Sequence, residues 1–170
     1  MHVPEEGWMS REKRVTIRLV SPQSEEDWGQ ARQLIEEYAA SLDLDLSFQH
    51  LAHELAHLAS QYSPPAGAFL LAAQSGVYVG CVGVRQFSEG VGEIKRLYAS
   101  PDMRGQGVGR LLVEGIVTAA RQLGYRSLLL DTLPSMAAAH ALYLSLGFKP
   151  VSPYRFNPVP GAAFLELQLQ

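Results

Sequence analysis

The clearest chemistry in this chain sits in seven consecutive residues, Arg104-Gly105-Gln106-Gly107-Val108-Gly109-Arg110. Glycine at three alternate positions lets the backbone adopt positive φ and approach a ligand with no Cβ in the way. From Val108 the apolar residues recur at helical spacing (Val108, Leu111, Leu112, Ile116, Ala119, Leu123), and Gly124 stands where a C′ glycine is expected. The turn is therefore a predicted helix N-terminus. Its unpaired N–H groups and positive dipole end favour an anion, and Arg104 and Arg110 add charge on either side. Phosphate or pyrophosphate is the guest this implies. A P-loop does not fit, because no Lys-Ser/Thr pair follows the glycines. The G-x-G-x-x-G fingerprint does not fit either, since Arg110 or Leu112 stands where its third glycine belongs.

A second pattern competes for attention. His53-Glu54-Leu55-Ala56-His57 matches H-E-x-x-H, in which two histidines one helical turn apart bind zinc and the glutamate acts as base. A catalytic zinc needs a third protein ligand, however, and Ser60 and Ser63 occupy the glycine and third-histidine positions of the metzincin continuation. Glu89 and Glu93 fall on or at the end of predicted strands. His50, His53 and His57 also lie off the apolar stripe of their helix, which is the pattern of a solvated histidine face.

Positioning the glycine turn requires a strand before it and a helix after it, and the chain supplies both. Glu93 to Ala99 reads as a strand stopped by Ser100-Pro101-Asp102. Upstream, residues 1–13 show no period and are expected to be a loose tail ahead of one domain over residues 14–170. Arg14 to Val20 alternates as a first strand. Ser24 caps a helix carrying Trp28, Ala31, Leu34, Ile35 and Tyr38. Leu42 to Leu46 is open between helix end and loop. Ser47 begins a second helix with the stripe Phe48, Leu51, Leu55, Leu58, Tyr62, ended by Ser63-Pro64-Pro65. Phe69 to Ala73 and Val77 to Phe87 read as strands joined tightly through Gln74-Ser75-Gly76, with Gly80 and Gly83 marking bulges or close packing. Ser127 to Thr132 is a continuous apolar run suited to a strand covered on both faces. Pro134 and Ser135 open a last helix through Leu146, closed by Gly147. Phe148 to Asn157 and Ala163 to Leu169 read as two final strands.

Composition narrows the classes. The chain has 170 residues and a formal net charge of −3, and its Lys and Arg form no basic stripe, so a nucleic-acid partner is not expected. Cys81 is the only cysteine, which excludes a disulfide framework and a Cys-based metal site; a small buried strand residue is the expected role. The N-terminus lacks the apolar core of a signal peptide, and no segment reaches the ~18 apolar residues of a membrane span. The expectation is a cytoplasmic protein with no membrane partner.

Arg104-Gly105-Gln106-Gly107-Val108-Gly109 resembles the R/Q-x-x-G-x-G/A signature of the GCN5-related N-acetyltransferase (GNAT) superfamily, which cradles the pyrophosphate of acetyl-coenzyme A. The preceding EIKRLYASP and the later HALYLSLGF resemble the same superfamily, in the right order, and the likeness runs from Arg14 to the C-terminus. It implies a GNAT fold: an α/β (α+β) domain with a central mixed, mostly antiparallel sheet flanked by helices, in the order β α α β β β α β α β β. The implied reaction is direct acetyl transfer from acetyl-CoA, the co-substrate, to a primary amine of a small or amino-acid-like molecule, with no metal. Acetylation of a protein or peptide amine and a CoA-binding module without catalysis are the alternatives. A homodimer is compatible with this reading.

The resemblance also distributes roles. Leu97, Tyr98 and Ala99 match the strand that pairs with the pantetheine arm, and Arg104, Gly105, Gln106, Gly107, Val108, Gly109 and Arg110 match the pyrophosphate loop. Tyr143 occupies the tyrosine of the A-x-x-x-Y-x-x-x-G-F pattern, filled by Ala139, Tyr143, Gly147 and Phe148, and is the implied acid for the leaving thiolate. A phenol of pKa about 10 suits that task; packing of the last helix is the alternative. The family's frequent Asn seven residues earlier is Met136. Glu93, where related enzymes keep a carboxylate, is the first candidate base and Asp131 the rival; pairing with Lys95 or an arginine is the other reading of Glu93. The first two helices and Tyr154-Arg155-Phe156-Asn157-Pro158 correspond to walls of the acceptor site, with a carboxylate-binding arginine conceivable there.

Overall fold

The structure is a computed structural model that describes residues 16–46 and 50–169. Strand β1 (Ile17–Val20) is followed by α1 (Glu25–Ser41), α2 (Leu51–Ala56) and α3 (Leu58–Gln61). Next come β2 (Ala68–Gln74), β3 (Val77–Ser88) and β4 (Val91–Ala99), then a 3-10 turn at Pro101–Met103. The chain closes with α4 (Val108–Gln122), β5 (Ser127–Thr132), α5 (Ala137–Ser145), β6 (Lys149–Pro150) and β7 (Ala163–Gln168). The strands form one seven-stranded sheet in the order β1-β2-β3-β4-β5-β7-β6. Only β4 and β5 run parallel.

Local chemistry sets several boundaries. The Asp27 N–H donates to Ser24 Oγ at 3.1 Å, a side-chain cap at the start of α1. Ser75 and Gly76, both at positive φ (49° and 79°), make the two-residue turn that hairpins β2 onto β3. Gly124 (φ 90°) ends α4, with its N–H on the Arg121 carbonyl and that of Tyr125 on the Ala120 carbonyl.

The sheet has helices on both faces. On one, Val108, Leu112, Val113 and Ile116 of α4 pack with Ala72, Val82, Val84 and Ile94. On the other, Ala31, Leu34 and Ile35 of α1 and Leu58 of α3 pack with Phe69, Leu71, Cys81 and Tyr98. Gly80 makes the α4 contact close: a Cβ there would lie 2.7 Å from the Tyr98 carbonyl and 3.2 Å from Val108.

A fork between β4 and β5 prepares the site. The two strands pair only at Val91↔Ser127, Gly92↔Leu128 and Glu93↔Leu129, although β4 runs on to Ala99 and β5 to Thr132. The cause lies in β4. Between the pairs Cys81↔Tyr98 and Gly83↔Lys95, β3 advances two residues while β4 advances three. The extra residue is accommodated with Arg96 at φ 64°, and such a bulge bends its strand. It also resets the alternation, so that Lys95 and Arg96 both face the α1–α2 side while Ile94 and Leu97 face α4.

Three expectations are corrected. The second helix is two short ones, broken at His57 (φ −132°, ψ 30°). There a His57 ring nitrogen bonds the His53 carbonyl at 2.9 Å, taking the acceptor a continuing helix would offer its own N–H, which turns to Glu54. The strand expected over Phe148 to Asn157 is only Lys149–Pro150; Pro150, Pro153 and Pro158 cannot donate to a ladder, and between them Tyr154, Arg155 and Asn157 turn to Glu93 and Asp131 while Phe156 is exposed. The last helix begins at Ala137, not Pro134. Ser47, Phe48 and the N-terminal tail lie outside the described residues.

Candidate active site

The glycine turn has the geometry its sequence implies. Gly105 (φ 78°) and Gly107 (φ 80°) are in the left-handed region, and a Cβ on either would point into open space. Leu111 is the first residue of α4 to bond backward, to the Gly107 carbonyl. Among the described residues, the N–H groups of Gly105, Gly107, Val108, Gly109 and Arg110 have no acceptor. Five donors at the positive end of a helix form an anion cradle that a side chain would fill. The residues thus fit a pyrophosphate. Arg110 itself is turned to Glu114 (3.2 Å) and Ser145 (3.1 Å).

The cradle opens into a cavity of about 580 Å³ that runs along the fork. Of the residues expected to hold the coenzyme, Leu97, Tyr98, Ala99, Arg104, Gly105, Gly107, Val108, Gly109 and Arg110 line it, while Gln106 does not. Gln106 instead donates to the Asp102 carbonyl at 3.3 Å. Tyr143 and Asp131 line the same cavity. Tyr143 is buried, set edge-on to Phe148 with ring centroids 5.5 Å apart. Burial pushes its phenol up from the ordinary value, with Tyr38 and Asp131 adding to the effect. The group stays protonated at neutral pH. Met136 also lines the cavity, its sulfur 3.8 Å from Thr132 Oγ1 and 4.0 Å from the Tyr38 hydroxyl.

The fold separates the two carboxylates offered as base. Glu93 is 1% exposed and outside the cavity lining. Its Oε1 receives Arg155 Nη2 at 2.7 Å, with Arg85 Nε 3.7 Å away, and its Oε2 receives the Tyr154 hydroxyl at 2.9 Å. Arg155, expected as a carboxylate anchor, gives its Nη2 to Glu93, while its Nε is buried without a partner among the described residues. Asp131 is half-buried, and its Oδ2 accepts from Asn157 Nδ2 at 3.0 Å. Among the described residues its Oδ1 has no partner.

The H-E-x-x-H segment is organised around a different contact. Glu54 is 1% exposed and bonds Arg96 Nε at 2.7 Å and Arg85 Nη1 at 3.0 Å. Burial raises its pKa, but the hydrogen bond and charge of Arg96, with Arg85 beyond, outweigh this and hold the carboxyl below its usual range. His50, His53 and His57 are exposed. Among the described residues no cluster of three or more His, Cys, Asp or Glu side chains could hold a metal ion.

Lys95 is the cavity residue whose part the sequence did not disclose. It is 5% exposed and lines the cavity beside Arg96. Burial lowers its pKa to about 8, opposed by Glu93. The available signal was two consecutive cations, Lys95 and Arg96, two residues after Glu93 in a strand whose other residues are apolar or glycine.

An anion-binding helix start thus stands at the mouth of a splayed parallel pair, with a protonated tyrosine and a carboxylate inside. The chain belongs to the acetyltransferase (GNAT) family, whose sequence profile matches residues 28–148. It is 38% identical over 164 residues to an uncharacterized N-acetyltransferase of Schizosaccharomyces pombe, covering 95% of this chain and 99% of that one. A GNAT-family acetyltransferase from Staphylococcus aureus superposes with a TM-score of 0.76 at 16% identity, over 91% of this chain and 100% of the other. An acetyltransferase from Salmonella typhimurium solved with acetyl-CoA superposes with a TM-score of 0.66 at 20% identity, over 91% and 95%. The protein is an acetyl-CoA-dependent N-acetyltransferase. No helix among the described residues is long and apolar enough to cross a membrane.

Proposed function

We propose that the protein acetylates the primary amine of a small, amino-acid-like molecule, with Asp131 as base and Tyr143 as acid. The observation that carries this reading is that Asp131, Tyr143 and the glycine cradle share one cavity of about 580 Å³, a size for a coenzyme arm and a small acceptor.

Acetyl-CoA supplies an acetyl thioester and a thiolate leaving group. The five free N–H groups of the glycine turn hold its pyrophosphate, and the β5-facing side of β4 beyond Glu93, where no strand pairs, receives the pantetheine arm. Asp131 Oδ1 accepts a proton from the acceptor's ammonium, which frees the lone pair that attacks. As the C–N bond forms and the C–S bond breaks, Tyr143, kept protonated by burial, gives its proton to the departing sulfur, and the resulting phenolate takes the second proton shed by the acylated nitrogen. Glu93 serves as the buried anchor of Tyr154 and Arg155, which fixes the segment that brings Asn157 to Asp131.

The test is an amine panel with acetyl-CoA, following thiol release and the acetylated product by mass spectrometry. Acetylation of free amino acids or small amines, reduced at least 100-fold in kcat by Asp131→Asn, is expected. Turnover of peptide N-termini or protein lysines alone, or an undiminished Asp131→Asn, overturns the reading.

A further inference from the structure

Lys95, Arg96 and Asp131 are the charged side chains lining the cavity beside the fork, and a layer of paired charges lies behind them. Arg85 and Arg96 close on Glu54, Arg85 and Arg155 on Glu93, and Asn157 on Asp131. Among the described residues, no hydrogen bond or ion pair engages the ammonium of Lys95, which is 5% exposed and lines the cavity. A largely buried ammonium with no protein partner at a cavity wall is placed to take a ligand's counter-charge, and a charge-assisted hydrogen bond there is stronger than one in open water.

The register of the fork says where that ligand lies. Glu93 pairs with Leu129 in the last rung of the parallel ladder. Lys95 is two residues beyond Glu93 and Asp131 two beyond Leu129, so both point to the same face from opposite arms of the fork. The splay keeps them from forming an ion pair with each other. A cation and a carboxylate thus face one gap, each with capacity left over.

We infer that the acceptor is a zwitterion with a carboxylate close to its amine, and that Lys95 holds this carboxylate while Asp131 receives the ammonium. This rests on the acetylation of a small amine at Asp131 proposed above and narrows the acceptor to amino acids and compounds shaped like them. Arg155 does not take this part, because it lies outside the cavity lining and its Nη2 is held by Glu93. Lys95 is a specificity-determining residue here: it binds acceptor and takes no part in proton transfer.

The test compares each accepted amino acid with its carboxamide and with the amine lacking the carboxylate. In the wild type, kcat/KM for the acid is expected to exceed that for the carboxamide by roughly 10- to 150-fold, the worth of a charge-assisted hydrogen bond. Lys95→Met keeps the unbranched stem without the ammonium and should collapse that ratio to about one, mainly through KM for the acid. Lys95→Arg should restore part of it. Because the readout is a ratio between acceptors, a general loss of activity or stability in the variant does not move it. If amines are acetylated but acid and carboxamide serve equally well in the wild type, the inference fails and the proposed acetylation stands. The inference also fails if Lys95→Met retains the full ratio. If acetyl-CoA binds and no small amine of any kind is acetylated, the proposed function falls and takes this inference with it.

Discussion

Glu54→Gln tests what the H-E-x-x-H segment does in this fold. The substitution keeps the shape of the side chain and removes a charge that two arginines share, one of them, Arg96, only 4% exposed. Breaking a buried pair from one side typically costs about 3–5 kcal/mol, since the partner's charge stays desolvated. For a domain of this size about 1 kcal/mol lowers Tm by roughly 2–4 °C, so a fall of roughly 6–20 °C at pH 7 is expected in thermal unfolding followed by circular dichroism. The pH dependence has a definite sign. The folded carboxyl is held below its ordinary value of 4.5, so the stabilisation is complete above that pH and is lost as pH falls through the lower folded value. Wild type and variant should therefore converge in acid. A Tm change under about 2 °C at pH 7, or a gap that does not narrow as pH falls below 4.5, would refute the ion-pair account.

The remaining expectations concern the site. Gly107→Val places a side chain where φ is 80° and nothing protein-derived lies within 4 Å; the domain should fold while calorimetry shows acetyl-CoA binding abolished. Tyr143→Phe should bind acetyl-CoA as the wild type does and lose about 10²–10⁴-fold in kcat, checked by single-turnover rates so that slow product release cannot mask the effect. Full single-turnover activity in that variant would leave Tyr143 a packing residue. His53→Ala and His57→Ala, at exposed positions, should leave acetyl transfer nearly intact; one tightly bound zinc per chain, lost on either change, would speak for the metallopeptidase chemistry instead.

Much of this architecture is legible in the sequence because it depends on short-range rules. The glycine turn, the cap at Ser24, the Ser75-Gly76 hairpin and the helix from Val108 are each fixed by a few adjacent residues, and each is where the pattern puts it. What was not legible depends on contacts distant in sequence. Nothing local reveals that Glu54 will meet Arg96 or that Glu93 will be enclosed by Tyr154 and Arg155, since these pairs lie 42 and 61–62 residues apart. The bulge at Arg96 was equally hidden, because the residue pays no visible tribute to a positive φ in its type. Without the bulge, period-two alternation turns Lys95 and Arg96 to opposite faces, and the cation that fronts Asp131 cannot be told from a strand-edge residue.

The fork gives the domain a mechanical character as well as a binding site. The sheet is two blocks, β1–β4 and β5–β7, whose direct bonding is three rungs long, joined otherwise by the chain running through α4 and by the shared apolar core that includes Leu128 and Leu130. On the seating proposed above, a coenzyme arm against the unpaired side of β4 acts as a strut between those blocks, doing for the wide end of the gap what the ladder does for the narrow end. The folded protein is therefore stiffest when loaded, and ligand binding adds to its stability by RT ln(1 + [L]/Kd). Deuterium uptake should fall in Leu97 to Ala99 and in β5 together when acetyl-CoA is present, as two separate blocks begin to move as one.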